Sequence, residues 1–278
     1  MANLVGIDVG LVLHRATSGL CRTGSDGFSV ARSYTDQLSR QSAIEIPEQI
    51  DLLAIDGPVL PTNQIDYRIR PTEKALLWNV FRRRCAVGET CRGIGAALRR
   101  GGCDTARQFG DRTANSNCQT TYPQIQAHRH VIEAFPNAFM GVMLDDAPYM
   151  ESMPRLKRGG RFEWLLSTWR KNAAVQQLKT RLQWDEPELW KELASNGDHE
   201  EQAALVCALT AVCVYRNAYV AVGEPIGGYL FLPPWELWAE WAIKGIDHNR
   251  NDPRLSRPID VWINGRCYSQ DQLLPRAR

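Results

Sequence analysis

The chain has 278 residues, of which 44% are hydrophobic and 23% charged, with a net charge of +2. That is enough apolar material to bury a core in one large domain or two small ones, and the charge is too balanced to argue for or against a polyanionic partner. Eight cysteines without a C-x-x-C pair, and five histidines at no zinc-finger spacing, exclude a disulfide framework and a zinc finger; the thiols read as reduced and cytosolic. The N-terminus shows no basic leader, and Asp8 interrupts its apolar run, so a cytoplasmic location is expected.

The first element is a strand, LVGIDVG, rich in β-branched residues and ending on Asp8. HRATSGLCR and FSVARSYT follow as two strands joined by the glycine-rich turn TGSDG, and DQLSRQSAIEI is a helix. DLLAIDGPV is the next strand, stopped by Gly57-Pro58 and ending on a second acid, Asp56. A hairpin, a crossover helix and a strand parallel to the first make an α/β core.

Residues 62–125 differ in character and read as a helical, arginine-rich insertion. A helix is expected over 72–84, and the segment after it is rich in glycine and arginine. Residues 82–112 hold eight arginines against Glu89, Asp104 and Asp111, which marks either a basic patch for a polyanion or a solvated face. HVIEAFP then gives a third acid-tipped strand with Glu133, and His128 and His130 alternate just before it. A short helix (NAFMGVMLDD) and a longer helical region (162–182) come next. The apolar stretch 203–222 is divided by Arg216 and Asn217, so it predicts a buried helix followed by a strand, and no membrane partner is expected. The C-terminal extension, about 233–278, reads as a helix over 233–245 with Pro before it and Gly after it. Its last element is a hairpin turning at Asn264-Gly265.

Ligands of open α/β sheets sit at the carboxyl ends of the parallel strands, where Asp8, Asp56 and Glu133 would meet. Three anions that close would repel and take up protons unless a cation intervened. A set of hard oxygen donors suits Mg²⁺ or Mn²⁺, and such ions can activate water and stabilise the leaving oxygen in phosphodiester hydrolysis. A fourth acid from a helix across the sheet is available in GDHEEQAALV, where Glu200 is favoured over Glu201; capping by acids at a helix start is the plain alternative.

GIDVG, AIDGP, LRRGGCDTARQFG, VIEAFP and HEEQAALVCALTA followed by VGEPIGGYLFLPP, taken in that order, resemble the domain-of-unknown-function 429 family of predicted ribonuclease H-like nucleases. The resemblance spans nearly the whole chain. It implies one ribonuclease H-like domain over 1–278, with a mixed five-stranded sheet flanked by helices. It also places Asp8, Asp56 and Glu133 on the family's acidic positions. This sequence departs from the family where Asp-Ala is usual at the start of the buried helix, since it has Ala203-Ala204 there. The resulting expectation is a metal-dependent nuclease with Asp8, Asp56, Glu133 and Glu200 as catalytic and metal-binding residues, and Mg²⁺ or Mn²⁺ as cofactor. Nucleic acid would be its partner, with Arg100, Arg107, Lys157 and Arg161 as phosphate contacts. The alternatives are a non-catalytic nucleic-acid-binding module of the same fold and an actin- or sugar-kinase-like phosphotransferase. GIDVG also resembles the phosphate loop of the latter, but Leu11-Val12-Leu13 follow it here in place of Thr or Ser.

Overall fold

The computed structural model describes residues 2–60, 69–85, 88–109, 130–152, 160–269, 272, 274 and 275. Among the described residues, nine strands form one mixed sheet: β1 (Asn3–Asp8), β2 (Ser18–Gly24), β3 (Ser29–Ser33), β4 (Leu52–Asp56), β5 (His130–Ala134), β6 (Val220–Glu224), β7 (Gly228–Leu232), β8 (Asp260–Ile263) and β9 (Arg266–Tyr268). Their order is β3-β2-β1-β4-β5-β7-β6-β8-β9. The central strands β1, β4, β5 and β7 are parallel, and antiparallel pairs flank them on both sides.

The sheet is therefore larger than the expected five strands. VAVGE and GYLFL are buried along their whole length, and runs apolar on both faces belong inside a sheet. β7 accordingly pairs with β5, and the C-terminal hairpin joins the same sheet through β6.

One face is covered by α10 (His199–Tyr215), which packs on β1, β2 and β4 and is buried along nearly all of its length. Gly6 of the GIDVG motif makes this docking possible. A Cβ there would stand 2.2 Å from the backbone N of Ala208 and 2.4 Å from the carbonyl O of Ala204. Gly19, beside Asp8 in register, likewise lies under the carbonyl of Glu200. On the other face, α1 (Gln37–Ala43) and α4 (Gly93–Gln108) enclose a smaller core around Val5, Ile7, Leu53, Ile55 and Phe109.

Three expected helices end differently. Residues 72–84 split into α2 (Pro71–Leu77) and α3 (Val80–Arg84), because Asn79 adopts φ 55°. The helical region 162–182 breaks at Asn172, which ends α7 (Gly160–Arg170) and caps α8 (Ala173–Leu182) by accepting from the N–H of Ala174 at 2.9 Å. In place of a helix over 233–245, a 3₁₀ turn (Trp235–Leu237) precedes α11 (Glu240–Arg250). Gly245 does not cap that helix; it lets α11 lie against Phe81, whose ring would be 2.7 Å from an added Cβ. Trp235, Trp238 and Trp241 are buried core residues. The remaining helices are α5 (Pro136–Gly141), α6 (Asp146–Ser152) and α9 (Pro187–Ala194). Among the described residues, no helix is long and apolar enough to cross a membrane.

Candidate functional site

Parallel pairing sets Asp8 level with Asp56, and Ile55 level with Glu133. Side chains alternate faces along a strand. Asp8 and Asp56 therefore share the α10 side of the sheet edge, whereas Glu133 belongs with Ile55 on the other side. The two aspartates are half-buried side by side. Two carboxylates this close resist being charged together, which favours holding a proton. Burial raises the pKa of Asp8 well above the ordinary range, and the charges of Asp56 and Glu200 raise it further, with Arg40 opposing. Burial also pushes Asp56 up to about 7, helped by the charge of Glu133.

Glu133 has a different partner. Arg70, at the start of α2, grips it with Nη1 to Oε2 at 2.8 Å and Nη2 to Oε1 at 2.5 Å. The same guanidinium donates from Nε to Glu73 at 2.6 Å and from Nη1 to the carbonyl of Gly227 at 3.0 Å. Glu73 also accepts from the backbone N–H of Thr90 at 3.2 Å and from the Thr90 hydroxyl. Arg70, Glu73 and Glu133 are all buried. Such a network is satisfied as a set and costly to break. Burial still holds Glu133 above its usual range, against the pull of Arg70.

Glu200 stands in the first turn of α10, where Asp198 caps the helix by accepting from the Glu200 N–H at 3.1 Å. Its charge reaches Asp8, and burial, with the hydrogen bond to Asp198, raises its own pKa. Glu201 is also raised, chiefly by burial and then by the charge of Asp198. Ala203 and Ala204 are buried in the helix–sheet contact, where small side chains admit the close approach at Gly6.

Behind the aspartates lies Arg40, 2% exposed. It donates to Ser18 Oγ at 2.9 Å, Thr105 Oγ1 at 2.6 Å and Gln108 Oε1 at 2.8 Å. Ser18 Oγ accepts in turn from the Gly10 N–H at 3.2 Å. Arg40 thus ties α1 and α4 to the loop that follows Asp8, and desolvation lowers its pKa to about 10.

The expected phosphate contacts divide. Arg100 is exposed on α4. Arg107 is exposed and pairs with Asp104 at 2.7 Å, an exposed ion pair worth little to stability. Arg161 donates to the carbonyls of Arg82 and Arg83 at the end of α3. Lys157 lies outside the described residues, as does His128.

At the same sheet edge a cavity of about 250 Å³ opens beside Asp56 and Glu133, walled by α4 and the segment before it. Sequence reading missed Arg70, Glu73, Arg40 and this cavity. A signal for the first two was present. In RPTEK, Pro71 and Glu73 at the first and third helical positions mark a helix start.

Among the described residues, no group of three or more His, Cys, Asp or Glu side chains is arranged to hold a metal ion. The donors present fit a smaller set, a Mg²⁺-like ion on one or two carboxylates with water completing its shell. Asp8 and Asp56 would be those carboxylates. No family model matches the chain, and no curated protein or solved structure matches it.

Proposed function

We propose that this protein is a metal-dependent phosphodiesterase acting on nucleic acid, built on a ribonuclease H-like sheet within the larger one. The observation that carries the reading is the Asp8–Asp56 pair at equivalent ends of adjacent parallel strands, where burial and mutual repulsion disfavour two charges, next to an open cavity. The order β3-β2-β1-β4-β5, with β2 antiparallel to its neighbours and β1, β4 and β5 parallel, supports the fold that the family resemblance implies. When bound, the cation supplies a water that is nucleophilic near neutral pH and stabilises the leaving oxygen. Asp8 and Asp56 would hold it, in their charged forms. Glu200, in the first turn of α10, would be the acid on that side of the edge. Glu133 keeps its bond to Arg70 and fixes the end of β5.

One observation favours the non-catalytic binding module instead: the third strand-end acid, Glu133, is held in an ion pair with Arg70, which leaves Asp8 and Asp56 of the three. Cleavage of single- and double-stranded DNA and RNA with Mg²⁺ or Mn²⁺ separates the two readings. The nuclease reading expects metal-dependent cleavage by the wild type, lost in Asp8→Asn and Asp56→Asn. Binding without cleavage by the wild type on every substrate supports the module.

A further inference from the structure

We infer that the cavity beside Asp56 is a subsite for one unstacked nucleobase bearing an exocyclic amino group. The inference rests on the nucleic-acid reading above and names what that site would take. At about 250 Å³ the cavity falls below the ~300 Å³ at which pockets for drug-sized ligands begin, so it suits a single small ring system. Its walls are apolar, from Leu11, Pro58, Ile94, Leu98 and Leu230, and Phe135 is the one aromatic residue lining it among the described residues. Apolar walls with an aromatic ring are how proteins receive a base taken out of its stack.

The polar groups set the chemistry. Four acids line the cavity (Asp56, Glu73, Glu89 and Glu133), and the one cation lining it among the described residues, Arg70, is engaged by Glu73 and Glu133, which leaves Asp56 and Glu89 to accept from a ligand. An apolar hole whose remaining polar groups are carboxyls is a poor site for phosphate and a good one for N–H donors. Adenine, cytosine and guanine carry an exocyclic amino group, whereas thymine and uracil present carbonyl oxygens in its place. The phosphate of the same nucleotide would lie near the first turn of α4, whose Ile94 and Gly95 line the cavity and whose start has no side-chain cap.

The test titrates the full chain with adenosine, cytidine, guanosine and thymidine by calorimetry. It then compares single-stranded DNA with the same strand carrying abasic positions. The amino-bearing nucleosides should bind at least tenfold more tightly than thymidine, and abasic strands should bind more weakly than intact ones. Phe135→Leu should weaken nucleoside binding by about tenfold, the scale of one base–aromatic stack, and Leu98→Trp should block the cavity. Equal or absent binding of all four nucleosides to the wild type overturns the subsite, and needs no variant to fold. If the wild type also cleaves intact and abasic strands alike with added metal, the nuclease reading survives that result. If nucleosides bind as expected but no strand is cleaved, the subsite stands and the nuclease reading fails.

Discussion

Replacing Asp56 by Asn should stabilise the metal-free protein at high pH and leave it little changed at low pH. In the folded chain the Asp56 carboxyl is raised from 3.8 to about 7. Between those values the folded state keeps a proton that the unfolded chain has released, so stability falls as pH rises from about 4 to about 7 and is level above. Three units correspond to a ceiling of about 4 kcal/mol. Asp56 is half-buried, and solvent screening reduces this to about 1–3 kcal/mol. Asn keeps the size and removes the charge that also raises Asp8. At about 2–4 °C per kcal/mol for a chain of this size, the melting midpoint in EDTA should rise by several degrees at pH 8 and hardly at all at pH 4.5. The assay is circular dichroism melting across that range. A midpoint lowered at pH 8, or shifted equally at both pH values, would refute the electrostatic account of the pair.

Arg70→Met leaves Glu133 and Glu73 buried without their cation, and should cost about 3–5 kcal/mol in urea unfolding; a loss under 1 kcal/mol would show the network is solvated. Gly6→Ala pushes a methyl against the Ala208 backbone, which cannot rotate away, so a loss at or above the usual 1–3 kcal/mol of overpacking is expected, read from the same unfolding curve. Arg100→Ala and Arg107→Ala should alter stability by no more than about 0.5 kcal/mol, since both side chains are exposed. If each meets phosphate, each should lower the salt dependence of nucleic-acid binding by about one unit of slope, and an unchanged slope would show a solvated face.

The fold's central strands were legible because they carry an unmixed signal. LVGIDVG, DLLAIDG and HVIEAFP are apolar runs closed by an acid and a Gly or Pro, and all three are parallel neighbours. The buried helix was legible too, since 203–215 is apolar all round. Periodicity could not find the breaks at Asn79 and Asn172, where one left-handed residue or one capping side chain ends a helix that its apolar pattern would continue. Nor could it show that Glu133 faces away from Asp8 and Asp56. That follows from a one-residue offset in strand register, which inverts a side chain and is fixed by packing. Arg40 and Arg70 were invisible for a related reason. A buried arginine looks like any surface arginine until the partners that hold it (Thr105 and Gln108, or Glu133) come from distant segments.

The central claim is that the Asp8–Asp56 pair holds a proton where it would otherwise hold a cation. Calorimetric titration of Mn²⁺ into the wild type at pH 6.5, repeated in two buffers of different ionisation enthalpy, measures the protons released on binding. The account predicts saturable binding with proton release, as ligand deprotonation by a metal requires, and loss of both in Asp56→Asn. Binding with no proton release, or release unchanged in Asp56→Asn, would contradict it.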